Sequence, residues 1–394
     1  MTLSFINVGC RLNYAEIDYL AGFFAKRGEE VDFSRNGDII LINTCAVTKE
    51  AERKSFSLIR RYARIKSVVV TGCLVALARE KIEKIPGVEK VFDLKEKERM
   101  IEDAFPLPSR NRAFLKIVDG CPGLCSFCIV PEIRGREIRS KPEELIRKEI
   151  SFLSEKGFFE IVLTGLNLGL YGQEKGTNLA SLLWRIFENS PGNFRIRLSS
   201  LEPDLIDESL LSAIANLPVC RHLHIPIQSF DQEILLKMGR RYSPEMIKEK
   251  IAMILSFLPE VNIGCDIIVG FSGETEAAFS QTEKALEELP FGYFHIFPFS
   301  PRPKTRAFSF PDDVSPQEKK RRVRILRELG RKKRLEYQKR FLGKKLFAVQ
   351  EREGMGVTDN YLRVKILNSP TPKGIFPVQI EKVVEEFVIG KIIF

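Results

Sequence analysis

At 394 residues, with 44% hydrophobic and 29% charged content, the chain is long enough for two or three packed units and has an ordinary globular composition. No run approaches the roughly eighteen consecutive apolar residues of a membrane span, and the opening MTLSFINVGCRLN lacks a basic region followed by an apolar core, so neither a membrane nor a secretory segment is expected. The formal net charge of +10 is uneven: residues 319–345 hold fourteen Lys and Arg against Glu328 and Glu336, which leaves the rest of the chain slightly acidic.

In the first hundred residues, short β-branched runs alternate with helical stretches: LSFINVG, DIILINT and SVVVTG. That alternation predicts a parallel sheet. The runs end near Cys10, Cys45 and Cys73, and the carboxyl ends of parallel strands share one edge, so three cysteines far apart in sequence should converge there. A cytoplasmic location is expected, and in that compartment eight cysteines fit metal or redox chemistry better than structural disulfides.

Beyond the linker AFPLPSRNR come six further strand candidates: AFLKIV, EIVLTG, RIRLSS, HLHIPI, residues 262–270 and GYFHIFPFS. The spacers KPEELIRKEISFLSEKG and SPEMIKEKIAMILSFL have helical apolar spacing, which predicts a partial β/α barrel with its chemistry at the strands' carboxyl ends. The first of those loops reads GCPGLCSFC, placing Cys121, Cys125 and Cys128 in a C-x3-C-x2-C arrangement. A structural zinc site normally takes four protein ligands, so three thiols suggest a four-iron cluster with one iron left open. The alternatives are a zinc knuckle completed by a distant residue, or buried thiols. From about residue 345 the pattern changes to short strands broken by Gly, Pro and Asn, which predicts a small antiparallel β-barrel. The expected division is 1–105, 106–336 and 337–394.

The C-x3-C-x2-C loop, with Phe127 before its last cysteine, resembles the signature of the radical S-adenosylmethionine superfamily. GCRLNYAEID, NTCAVT, TGC and CIVPEIRGREIRS narrow the resemblance to the methylthiotransferase family over nearly the whole chain. It implies two four-iron four-sulfur clusters, an auxiliary one on Cys10, Cys45 and Cys73 and a radical one on Cys121, Cys125 and Cys128, with S-adenosylmethionine on the open iron. VLTGLNLGLYG, HLHIPIQS and DIIVGFSGET are most similar to the bacterial branch that thiolates threonylcarbamoyladenosine in tRNA; the isopentenyladenosine and ribosomal-aspartate branches are the alternatives. Departures from the family are Phe230, where Gly is common, Ser272, where Pro is common, and Lys304-Thr305, where Gly-Thr is common.

By the same resemblance, Phe127, Gly165, Ser200, Glu202, Gln228 and Gly270 are candidates for the S-adenosylmethionine pocket. Backbone geometry at a strand end would also account for Gly165 and Gly270. Arg134, Arg136 and Arg139 follow the cysteine loop and are expected either to meet RNA phosphate or to form a solvated face. His222 and His224 share a face of one strand, where hydrogen-bonded burial is the commoner role; Cys220 and Cys265 are read as core thiols. The cation excess of residues 319–345 points to a polyanion, with Arg331, Lys332, Lys333 and Arg334 as candidate RNA contacts beside a TRAM-like RNA-binding barrel. The expected partners are tRNA, a flavodoxin- or ferredoxin-type electron donor and a sulfur source, with the enzyme acting as a monomer. A non-catalytic metal-binding RNA module is the rival from another class.

Overall fold

The computed structural model describes residues 2–188, 192–367 and 370–393. Five parallel strands open the chain: β1 (Thr2–Asn7), β2 (Glu30–Asp32), β3 (Ile39–Thr44), β4 (Ser67–Gly72) and β5 (Val88–Val91), in the order β2-β1-β3-β4-β5. The three runs read from the sequence are β1, β3 and β4, adjacent at the sheet's centre, where β-branched side chains such as Ile40, Ile42, Val68 and Val70 are buried. Side-chain caps start the crossover helix Lys49–Ala63, where Thr48 accepts from Ala51 N, and the helix after β5, Leu94–Ile101, where Asp93 forms a capping box with Glu96.

The central unit contains β6 (Ala113–Asp119), a short antiparallel β7 (Arg139–Ser140), β8 (Glu160–Gly165), β9 (Arg195–Leu198), β10 (His222–Gln228), β11 (Asn262–Val269) and β12 (Phe291–Pro298). The two sheets β7-β6-β8-β9 and β10-β11-β12 are joined by parallel bridges at Ile196–Val219 and Ser200–His224. The result is an open barrel of the six parallel strands that the sequence predicts. Alternate strand residues such as Leu115, Ile117, Ile161 and Leu163 are buried with the helices, while Phe114 and Val162 pack on Tyr14 and Ala15 of the first helix, Arg11–Lys26. Lys304 sits at φ 69. A left-handed backbone costs a side-chain-bearing residue about 1–2 kcal/mol, so glycine would be the easier residue here.

The tail closes into a barrel in the order β13 (Lys345–Arg352), β14 (Met355–Thr358), β15 (Arg363–Ile366), β17 (Val388–Ile392) and β16 (Ile375–Val383). The expectation of purely antiparallel pairing is corrected at one seam: β15 and β17 run parallel, and that pairing removes the last free edge. The expected division at 336 also falls inside a continuous helix, Pro316–Lys339, which packs along β12 and whose Tyr337 enters the tail's core.

Buried ion pairs fasten this tail to the barrel. Arg195 donates to Phe347 O at 2.9 Å and Val357 O at 2.8 Å, while Arg197 donates to Thr358 O at 2.8 Å and Asp359 O at 3.0 Å. Both guanidinium groups are held by Glu160. Burial alone would raise the Glu160 carboxyl, but Arg197, Arg195 and Arg112 outweigh it and hold the group well below the usual carboxylate range. Glu160→Gln would leave buried cations uncompensated at a cost of about 3–5 kcal/mol. We expect a lowered thermal midpoint and faster proteolysis of the tail; an unchanged melt would show that the pairs are not structural.

Candidate functional site

Cys10, Cys45 and Cys73 follow β1, β3 and β4, so one sheet edge carries all three. Gly9, at φ 121, lets the loops meet: a Cβ there would lie 2.7 Å from Cys45 Cβ and 3.1 Å from Cys45 Sγ. Asn13 ties the loops together, donating from Nδ2 to Val8 O at 2.8 Å and to Thr44 O at 3.0 Å. Cys45 and Cys73 are buried and Cys10 is exposed. Burial pushes the Cys45 thiol up to about 12, with Cys73 and Cys10 adding to the rise. A thiol raised in this way gives up its proton when a positive centre displaces it, as thiolate ligation of a metal cluster requires.

Arg134 corrects its sequence reading, since it is buried and meets this trio rather than solvent or phosphate. Its Nη2 lies 3.6 Å from Cys73 Sγ, 3.0 Å from Glu16 Oε2 and 3.3 Å from Asn13 Oδ1. Glu16 also pairs with Lys97 and Lys116, while Asp119 pairs with Lys116 and Arg134. Burial opposes the Glu16 charge, but Arg134, Lys97 and Lys116 together hold the carboxyl well below its ordinary range. Three cations against two carboxylates leave this buried cluster positive beside three thiols.

The second trio lies on the loop after β6, in the central unit. Asp119 ends β6 and accepts from Gly120 N at 2.9 Å; Gly120, at φ 77, passes so close that a Cβ would meet Glu137 O at 1.7 Å. The loop is pinned to the helix Gln232–Met238, with Ser126 N donating to Met238 O at 2.9 Å and Ser126 Oγ to Lys237 O at 2.8 Å. Gly123 keeps the thiols close, since a Cβ there would lie 3.1 Å from Cys121 Sγ and 3.8 Å from Cys125 Sγ. Burial pushes Cys128 up to about 12, and Cys125 and Cys121 add to it. Helix Val130–Arg134 then runs from this loop to the first trio, so one short segment joins both sites.

A cavity opens over Cys121 and Cys125, lined also by Asn167, Glu202, Arg240 and Tyr242. Arg240 Nη1 lies 2.8 Å from each Glu202 oxygen, and the Tyr242 hydroxyl donates to Pro226 O at 2.9 Å. Burial raises the Glu202 carboxyl, with Arg240 opposing. Among the pocket candidates, Glu202 therefore stands with the cysteine loop. The two glycines sit in close backbone settings: a Cβ on Gly165 would strike Val118 at 2.3 Å, and Gly270, at φ 70, donates to Glu274 and abuts Lys319. Phe127 lies against Phe271, with the Arg240 guanidinium 5.5 Å from its ring. Gln228 is buried at φ 75, and Ser200 bridges to His224.

His222 and His224 share the Tyr293 hydroxyl at 2.8 and 3.0 Å, and His224 and His295 share Asp266 Oδ1 at 2.9 and 3.1 Å. Cys220 and Cys265 are buried, the latter within the barrel core. Arg136 reaches Gly123 O at 3.4 Å, and exposed Arg139 pairs with Glu98. The RNA candidates are corrected at Lys333, which is buried and donates to Glu287 O at 2.7 Å. Arg331 pairs with Glu385 at 3.5 Å and Lys332 with Glu287 at 3.3 Å; Arg334 has no acidic partner among the described residues. Sequence reasoning missed Asn13, Glu16, Arg240 and Tyr242. The signal for Asn13 and Glu16 was their place just after Cys10 in GCRLNYAE.

A profile described as "Radical SAM superfamily" matches residues 115–286, and one described as "Uncharacterized protein family UPF0004" matches residues 2–93. The chain is 35% identical over 363 residues to the threonylcarbamoyladenosine tRNA methylthiotransferase MtaB of Thermotoga maritima, covering 85% of this chain and 83% of that protein. It is 35% identical to the Aquifex aeolicus MtaB, covering 93% and 96%. The tRNA-2-methylthio-N(6)-dimethylallyladenosine synthase of Pelotomaculum thermopropionicum is 34% identical, with 83% and 82% covered. In fold, the chain is similar to the Kitasatospora setae radical S-adenosylmethionine methyltransferase TsrM, solved with cobalamin and an iron–sulfur cluster, at TM-score 0.57 and 14% identity, covering 78% of this chain and 76% of that one. The paired cysteine sites and these relatives agree that the chain belongs to the radical S-adenosylmethionine methylthiotransferase family.

Proposed function

We propose that this chain is a tRNA methylthiotransferase that replaces the C2 hydrogen of N6-threonylcarbamoyladenosine, next to the anticodon, with a methylthio group. The observation that carries the reading is the pairing of two three-cysteine sites at strand ends, joined through Val130–Arg134. The MtaB enzymes align at 32–35% identity, in the Chlamydia pneumoniae case over the whole of this chain, and supply the choice of base.

Each trio offers three sulfur ligands, which fits a four-iron four-sulfur cluster with one iron free for another ligand. The group at Cys121, Cys125 and Cys128, when bound, supplies the electron that cleaves S-adenosylmethionine to the 5′-deoxyadenosyl radical, chemistry that an unactivated aromatic C–H bond demands. The chain's own residues orient and enclose. Glu202, Arg240 and Tyr242 wall the cavity beside the loop, and Gly120 and Ser126 fix the loop's path. Cys10, Cys45 and Cys73 would hold the auxiliary cluster, which would supply the sulfur chemistry, and Arg134 would neutralise thiolate charge there. A flavodoxin- or ferredoxin-type donor and a separate sulfur source complete the reaction in the cytoplasm. No described helix is long and apolar enough to cross a membrane.

The test is anaerobic turnover of the reconstituted protein on tRNA bearing threonylcarbamoyladenosine and, in parallel, on tRNA bearing isopentenyladenosine. Methylthio product on the first substrate is expected. Product on the second alone would transfer the protein to the other tRNA branch, and zinc with no iron in the protein would end the enzymatic reading.

A further inference from the structure

The formal charge count places the chain's basicity in residues 319–345, yet the structure spends much of that charge internally. Arg321 and Arg322 are tied to Glu276, Glu318 and Glu274, Lys319 to Asp312 and Lys344 to Glu260. Lys333 and Arg340 are bonded to main-chain carbonyls. The C-terminal part of the helix also lies at the wrong end of the barrel. Tyr337 donates to Glu260 O, just before β11 begins, whereas the cysteine loop follows the carboxyl end of β6.

Helix Lys49–Ala63 has the opposite character. It starts four residues after Cys45, and Arg302, just past the carboxyl end of β12, fastens it there by donating to Ala46 O at 2.9 Å and pairing with Glu52 at 2.7 Å. Arg53, Arg60, Arg61 and Arg64 are exposed, and none has an acidic partner among the described residues. With Ser57 they recur at positions 53, 57, 60, 61 and 64, which a period of 3.6 residues gathers on one face. That face spans roughly 16 Å, the reach of several successive phosphates. It borders an open groove that includes Phe56 and Ile65, and the Arg60 guanidinium lies 5.4 Å from the Phe56 ring. Acids stand only at the start of this face: Glu50 lies one turn before Arg53, and Glu52, which lines the groove, is taken by Arg302, so from Arg53 to Arg64 no acid balances the stripe.

We propose that Arg53, Arg60, Arg61 and Arg64 form a phosphate-binding surface for the tRNA substrate, which guides the strand toward the sheet edge carrying Cys10, Cys45 and Cys73. The inference rests on the tRNA reading above and deepens it: the N-terminal sheet unit, and not only the C-terminal barrel, grips the RNA. Its chemistry is that of any RNA backbone, so the surface positions the substrate and the cavity selects the base.

The experiment is a salt titration of tRNA binding by the full-length reconstituted protein, comparing the wild type with the Arg53→Gln/Arg60→Gln/Arg61→Gln/Arg64→Gln variant and an Arg331→Gln/Lys332→Gln/Arg334→Gln variant. Removing one arginine–phosphate pair flattens the slope of log affinity against log salt by roughly 0.7 to 0.9, because fewer counterions are released on binding. The four-fold stripe variant is expected to show a slope about three units shallower and at least tenfold weaker affinity, while uncoupled 5′-deoxyadenosine formation persists. The single variants Arg53→Gln and Arg61→Gln, each expected to flatten the slope by the share of one phosphate pair, keep the test open if the four-fold variant folds poorly. An unchanged slope in the stripe variants, with tRNA bound normally by the wild type, overturns the inference and leaves the tRNA reading standing. A wild type that binds no tRNA overturns both.

Discussion

Alanine at Cys121, Cys125 or Cys128 is expected to abolish 5′-deoxyadenosine formation, because the loop after β6 offers three thiols and the proposed cluster would need all of them. Alanine at Cys10, Cys45 or Cys73 is expected to leave that cleavage measurable while methylthio product falls below detection. The two trios sit on different sheets and share no ligand, so removing one leaves the other's geometry in place. Liquid chromatography of 5′-deoxyadenosine and of tRNA nucleosides, with iron and sulfide counted for each variant, resolves the two outcomes. An N-terminal variant that folds, lacks its cluster iron and still makes methylthio product would show that the sulfur does not come from that site.

Glu16→Gln is expected to produce the largest stability loss of any conservative substitution near the sites. Glu16 is fully buried and shared by Arg134, Lys97 and Lys116, so its neutralisation leaves buried Arg134 and Lys97 and half-buried Lys116 with Asp119 alone. Removing one partner of a buried ion pair costs about 3–5 kcal/mol. The loss should register as a lowered thermal midpoint of the iron-free protein and as a lower iron content at the N-terminal trio, since Arg134 is freed from its place beside Cys73. Lys97→Met paired with Glu16→Gln should recover part of the stability by removing one uncompensated charge. A melt unchanged by Glu16→Gln would mean that water reaches the cluster and screens it.

Much of this was legible in the sequence for physical reasons. Central parallel strands are buried on both faces, so DIILINT and SVVVTG read as unbroken apolar runs, and parallel strands bring their carboxyl ends to one edge, which locates the first trio from sequence alone. The edge strands β2 and β5, EVD and VEKV, were not legible, because short polar segments have no period to detect. Arg134 was misread because its partners Glu16 and Cys73 lie 118 and 61 residues away, and local sequence carries no trace of such pairing. Charge counting failed for Lys333 in the same way: it sums cations without seeing that a backbone carbonyl of Glu287 has taken one. The parallel seam of the C-terminal barrel, β15 with β17, depends on strand order, which hairpin-length loops do not specify.

The most direct test of the account is mass spectrometry of tRNA nucleosides from cells of the source organism, or of a host lacking the activity, with the gene deleted and then restored. The account predicts that 2-methylthio-N6-threonylcarbamoyladenosine disappears on deletion, that unmodified N6-threonylcarbamoyladenosine accumulates in its place, and that the wild-type gene restores the product while Cys45→Ala and Cys125→Ala do not. Undiminished 2-methylthio-N6-threonylcarbamoyladenosine after deletion, or its restoration by either cysteine variant, would contradict it.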